Sequence, residues 1–143
     1  MSLTPLDALQ QTLAAEHAAV HVLALVGGRV PISSQPELAE RVRAAYTLHR
    51  GRRDQVVAMV RQAEAEPVPA EVSYEPATPA RTPAQLRRAA LAVEQRCTAV
   101  YASMVGGTAG ANRQWALDAL EDSAVRALGL GGRAEPFPGI AKM

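Results

Sequence analysis

The chain has one cysteine, Cys97, and one lysine, Lys142, among its 143 residues. A single cysteine excludes an intrachain disulfide and any multi-cysteine zinc site, and its apolar neighbours point to a buried, inert thiol in a reducing compartment. A single lysine against fourteen arginines and 29 alanines is the usage of a GC-rich genome and carries no functional meaning. Aromatic residues are scarce too, with only Tyr46, Tyr74, Tyr101, Trp115 and Phe137 present, so helix is favoured over sheet. No basic segment followed by an apolar one opens the sequence, and no stretch reaches the roughly 18 apolar residues that a membrane span needs. A soluble, cytoplasmic protein with no membrane partner is expected. The net charge is +1, with acids and bases mixed along the chain, so no face is built to track a phosphate backbone. The one basic cluster, His49-Arg50-Gly51-Arg52-Arg53, is followed at once by Asp54 and has no interleaved aromatic residue for base stacking. Nucleic acid is therefore not an expected partner.

What is present is helical punctuation. Thr4-Pro5-Leu6-Asp7 supplies a hydroxyl cap, a proline at the first helical position and an early acid, and Gly27-Gly28 supplies the stop, which predicts a first helix over 5–27. Ser34-Gln35-Pro36-Glu37 reads as a capping box, and the pattern then runs to Glu66, predicting a second helix over 35–66. Thr82-Pro83-Ala84-Gln85 repeats the start signal for a third over 83–105, and a fourth spans 110–128, leaving a tail over 129–143 that would dock across one end. Between the second and third helices, 67–82 carries four prolines. At roughly 3.1 Å per residue this stretch reaches about 50 Å, long enough to run the length of a bundle. The other links are short, so residues 1–143 read as one all-α domain. It is a four-helix bundle made of two antiparallel helical hairpins joined by a long crossover, the ferritin-like connectivity.

Each helix carries an ionisable residue near the middle of its apolar stripe: Glu16, His49, Glu94 and Glu121. Charges in a core are costly unless paired or bound to metal, so four at one level mark a site or its remnant. At about 100° per residue, Leu9, Leu13, Val20 and Leu23 flank Glu16, and Leu38, Val42, Ala45, Val56 and Val60 centre on His49, with Arg53 in the same arc. Ala90, Leu91, Thr98 and Tyr101 flank Glu94. Glu121 shares a face with Leu117, Val125 and Leu128, and Asp118 lies toward its edge. His17 and His21 have a chelating spacing but lie beyond the rim of the stripe, the place of a solvated or subunit-contact face. Gly51 sits inside the second helix, where glycine costs about 1 kcal/mol relative to alanine. It marks either close packing or a bulge that aims His49 and Arg53 inward, or an exposed face that tolerates it.

The segments Leu13-Ala14-Ala15-Glu16-His17-Ala18-Ala19-Val20, Tyr46-Thr47-Leu48-His49-Arg50-Gly51-Arg52-Arg53-Asp54, Glu94 through Tyr101, and Phe137-Pro138-Gly139 resemble the ferritin-like superfamily. Within it they resemble the short actinobacterial ferritin-like proteins classed as a domain of unknown function. The resemblance covers nearly the whole chain and implies a site of two lone glutamates and two Glu-x-x-His pairs. Glu16 and Glu94 match the lone glutamates. The pairs read Tyr46-x-x-His49 and Glu121-x-x-Ala124, so one carboxylate and one histidine are missing, and Arg53 stands at the same level. The expectation is a degenerate di-iron site: a buried polar cluster of Glu16, Tyr46, His49, Arg53, Glu94 and Glu121 in place of iron, in a non-catalytic binding or assembly module. Its expected partners are a small polar ligand and a second copy in a homodimer. The alternative is a single iron, manganese or zinc ion held by Glu16, His49, Glu94, Asp118 and Glu121, with an open position for oxygen or peroxide.

Overall fold

The computed structural model describes residues 3–76 and 78–140. Ala77 of the crossover, tail residues 141–143 and the first two residues lie outside that description. The described residues form four helices: α1 (Pro5–Arg29), α2 (Pro36–Gln62), α3 (Pro83–Gly107) and α4 (Gly110–Gly129). Among the described residues no helix is long and apolar enough to cross a membrane.

Two of the three cap signals act as the sequence predicts. The Thr4 hydroxyl accepts from the Asp7 amide at 3.1 Å, and Thr82 and Gln85 cap each other reciprocally at the start of α3. The expected box at α2 does not form. Gln35 is the cap residue and makes no side-chain cap bond, while the Ser34 hydroxyl turns back to the Pro31 carbonyl at 3.4 Å. Helix α2 also stops four residues before Glu66. Glu64 takes a left-handed φ of 59°, and the Ala65 amide closes onto the Val60 carbonyl at 3.2 Å, so a C-terminal turn ends the helix before the prolines are reached.

Polarity is set by the contacts. A Cβ on Gly107 at the end of α3 would meet Ala8 near the start of α1, and the Thr12 hydroxyl reaches the Met104 sulfur at 3.4 Å. Helix α3 is thus antiparallel to α1, as α2 is through its short loop, so α2 and α3 run parallel. Parallel neighbours in sequence need a connection as long as the bundle. The crossover supplies it by lying along α1. The Gln10 side chain binds the Glu66 carbonyl (2.7 Å) and the Val68 amide (2.9 Å) at one end. Arg29 donates to the Ala80 carbonyl (3.0 Å) at the other, about 28 Å further on at 1.5 Å per residue. His17 and His21 serve this strap: His17 Nε2 meets the Val68 carbonyl at 3.0 Å, and His21 stacks edge-on against Tyr74 at 5.4 Å.

The tail departs from the expectation of docking across one end. Gly139 packs on the middle of α3, where an added Cβ would lie 2.5 Å from the Thr98 carbonyl oxygen. With φ at +82° as well, the position suits only glycine.

Two apolar clusters fill the bundle, one around Leu23, Val26, Leu38, Val42 and Leu86, the other around Leu9, Leu13, Val56, Val60 and Met104. Glu16, His49 and Glu94 lie between them as a polar layer. Contacts are close between α1 and α2, α1 and α3, and α3 and α4, but sparse between α2 and α4. That fourth side is bridged by long side chains, including Trp115 Nε1 donating to Gln55 Oε1 at 2.8 Å.

Gly51 is exposed, and a Cβ built on it meets nothing within 4 Å. Gly51→Ala is therefore expected to stabilise the protein by about 0.5–1 kcal/mol through helix propensity alone. A thermal melt checks it; a loss of stability would show that the glycine serves close packing.

Candidate functional site

Glu16, His49 and Glu94 are each 0% exposed and meet in the polar layer. His49 Nδ1 lies 2.9 Å from Glu16 Oε1, and His49 Nε2 lies 2.7 Å from Glu94 Oε1. A neutral imidazole has only one N–H, so it would turn a bare lone pair toward one of two carboxylates. The imidazolium donates to both. Burial alone would lower the His49 pKa, but the hydrogen bonds to Glu16 and Glu94, helped by their charges, raise it from 6.5 to about 9. The ring is thus a cation at neutral pH, seated between two glutamates.

A second cation completes the charge balance. Arg52, on the turn of α2 after His49, is buried. Its Nη1 donates to the Tyr101 hydroxyl (3.3 Å) and the Ser123 hydroxyl (2.9 Å). Tyr101 in turn donates to Glu16 Oε1 at 2.9 Å, and Ser123 to Glu94 Oε1 at 3.1 Å. One guanidinium therefore reaches both glutamates through hydroxyl groups. Burial works against the Arg52 charge, while Tyr101, Glu16 and Asp122 raise its pKa. Its other terminal nitrogen donates to Asp122 Oδ2 at 2.8 Å, which also accepts from Arg126 Nε at 2.8 Å. Burial resists ionisation of Asp122, but Arg126 first and then Arg52 hold its carboxyl below the ordinary range. Across the layer, Glu16, Glu94 and Asp122 face His49, Arg52 and Arg126, three charges of each sign.

Four residues expected at the site stand elsewhere. Arg53 is not the inward cation: its Nε pairs with its exposed neighbour Asp54 at 3.0 Å. Glu121 and Asp118 are exposed and stand outside the cluster. Helix α4 turns Ala116, Ala119, Ser123 and Ala127 to the core and leaves Leu117, Val125 and Leu128 38%, 66% and 46% exposed. Close approach of α3 and α4 selects small residues at the contact, so the large apolar ones that fix the wheel lie outside. Tyr46 is half-buried, under the Arg50 guanidinium at 5.5 Å, and makes no hydrogen bond to the cluster. Arg52, Cys97, Ser123, Asp122 and Arg126 belong to the layer without having been expected there, and Tyr101, expected beside Glu94 on the face of its helix, is a hydrogen-bond donor to Glu16. Arg52 carries a signal in its spacing of three from His49, and Tyr101 in its spacing of seven from Glu94.

A two-metal centre does not fit these residues. Such a site needs several carboxylates to offset two dications, and both glutamates here already face resident cations. A single ion has a smaller set available, since ligand atoms of Glu16, His49 and Cys97 lie within 4.8 Å of one another. Burial, then the charges of Glu16 and Glu94, push the Cys97 thiol well above its ordinary pKa, which opposes the thiolate that a metal requires. Glu16 Oε2 and Glu94 Oε2 are buried with no hydrogen-bond partner among the described residues, so each is an acceptor without a donor.

No curated protein matches the chain. The crystal structure of a conserved hypothetical protein from Mycobacterium tuberculosis is similar, with a TM-score of 0.80 and 28% identity over 87% of this chain and 85% of that one. That likeness extends over both hairpins but carries no activity with it. A family model described as "Domain of unknown function (DUF4439)" matches residues 8–142, and the chain belongs to that family.

Proposed function

We propose that this chain is a ferritin-like bundle in which a resident imidazolium takes the place of a metal centre, and that it acts as a binding or assembly module rather than as a catalyst. The carrying observation is that both nitrogens of His49 are committed to carboxylates, at 2.9 and 2.7 Å. A positive ring between Glu16 and Glu94 offsets their charge as an ion would, and Arg52 adds the second charge through Tyr101 and Ser123. Neither His49 nitrogen is then free to ligate. The network joins α1, α2, α3 and α4 at one level, which fixes their register. A lone buried cysteine suits a cytoplasmic setting.

The second reading is a mononuclear iron, manganese or zinc site, favoured by the nearness of Glu16, His49 and Cys97 and by the two unpartnered glutamate oxygens. Elemental analysis of protein purified without chelator or nickel resin, with melts before and after chelation, separates the two. The imidazolium reading expects no stoichiometric metal and a melting temperature unmoved by chelator or added metal. About one ion per chain, with a melting temperature lowered by chelator and restored by metal, would establish the metalloprotein instead.

A further inference from the structure

The apolar surface of the molecule is unevenly spread. Five of the eight large apolar side chains left exposed among the described residues, Leu117, Val125, Leu128, Phe137 and Ile140, lie on α4 and the tail. Leu117, Glu121, Ala124 and Leu128 follow one another at steps of four, three and four along α4, the spacing of a seam that meets another helix. The tail presents Phe137: the Ile140 amide closes a turn onto the Phe137 carbonyl at 3.2 Å, Gly139 is pinned on Thr98, and the ring is left 73% exposed. Beside it lies a hollow of about 130 Å³ between the tail, α3 and α4, lined by Thr98, Ala124, Val125, Leu128 and Pro138. That is close to the roughly 150 Å³ that accepts a benzene ring. A joined apolar face of this kind marks an interaction site.

We propose that this face is the interface of a homodimer, in which a two-fold axis lays the α4 helices of two copies antiparallel and seats Phe137 of each in the hollow of the other. This deepens the reading of the bundle as an assembly module, on which it rests, by naming the partner as a second copy. A knob and a hollow side by side on one face meet the condition for an isologous contact, in which the same patch serves both copies. The charges choose the direction. Asp118 and Glu121 are exposed on α4, and Arg133 stands at the edge of the hollow beyond its C-terminal end. None of the three makes an ion pair among the described residues. A parallel pairing would set each of them against its own copy, whereas the antiparallel one brings Arg133 to the acidic half of the facing helix. Glu135, at the same edge of the hollow, is left for Arg113 at the N-terminal end of the second copy's α4. Exposed pairs of this kind add little affinity but fix register, so the apolar side chains hold the contact and the charges orient it.

Sedimentation equilibrium of the full chain across a concentration series tests this. The expected result is a reversible dimer. Phe137→Ser, at an exposed position, should weaken it by about tenfold or more, as the loss of a seated aromatic anchor requires, while the helical circular-dichroism signal stays at the parent's value. Arg133→Glu should weaken it as well, and Asp118→Arg added to Arg133→Glu should restore it, because the antiparallel pairing sets these two positions against each other. A chain that is monomeric throughout would overturn the proposal and leave the face to a partner of another kind. A dimer that tolerates Phe137→Ser, or one in which Asp118→Arg deepens the loss caused by Arg133→Glu, would overturn it too. If the chain is monomeric yet metal-free and indifferent to chelator, only the interface falls. Stoichiometric metal would instead remove the reading beneath it, whatever the mass.

Discussion

Replacing Arg52 with methionine is expected to destabilise the protein by about 3–5 kcal/mol near neutral pH, because it removes one partner of a buried ionic network and leaves the rest uncompensated. Arg52 is 7% exposed. Its loss takes the shared donor from Tyr101 and Ser123 and one of two cations from Asp122. Arg53→Met, one residue along, should change stability by about 0.5 kcal/mol or less, since Arg53 pairs only with an adjacent and largely exposed Asp54. Denaturant unfolding of the two variants beside the parent gives the comparison. Equal losses in both would mean that the network runs through neither guanidinium as described.

The second large effect is on pH dependence. His49 has a folded pKa raised from 6.5 to about 9, so its proton stabilises the folded state fully below pH 6.5, and that contribution is lost as pH rises through about 9. The shift corresponds to about 3 kcal/mol at 1.36 kcal/mol per unit. The parent should lose roughly that amount between pH 6.5 and 9.5, while a His49→Gln protein, weaker at neutral pH, should lack the slope. Cys97 and Tyr101, both pushed upward chiefly by burial, add losses of the same sign only above their ordinary values of 9.0 and 10.0. The window below pH 9 therefore reports on His49. A parent whose unfolding free energy is flat from pH 6.5 to 9 would contradict the imidazolium.

The contrast between Arg52 and Arg53 also shows how far the sequence can be read. Helix starts at Thr4 and Thr82 are legible because a hydroxyl, a proline and a side chain at the third position act locally. The inward level of Glu16 and His49 is legible because each sits in a long stripe of leucines and valines, and that of Glu94 because Ala90, Leu91 and Tyr101 share its face. Two adjacent arginines both fall within reach of the His49 arc, and only the position of Ser123 and Tyr101 on other helices distinguishes them. Helix α4 misleads for a related reason: Leu117, Val125 and Leu128 define its apolar moment, but the contact with α3 admits alanine and serine. Glu121 therefore shares the face that looks outward, and Ser123 and Asp122, which do reach the layer, have no marker. The tail's fold back onto Thr98 depends on Gly139 meeting a backbone carbonyl across the molecule, which no local pattern encodes.

The most direct test of the central claim is the protonation of His49 itself, read from the ring-nitrogen shifts of the protein labelled with 15N-histidine. At pH 7.5, where His17 and His21 supply the comparison, the account predicts that both His49 nitrogens carry protons and that they keep them until the pH nears 9. A His49 ring with one bare nitrogen at pH 7.5, or one whose shifts move when chelator is added, would contradict it.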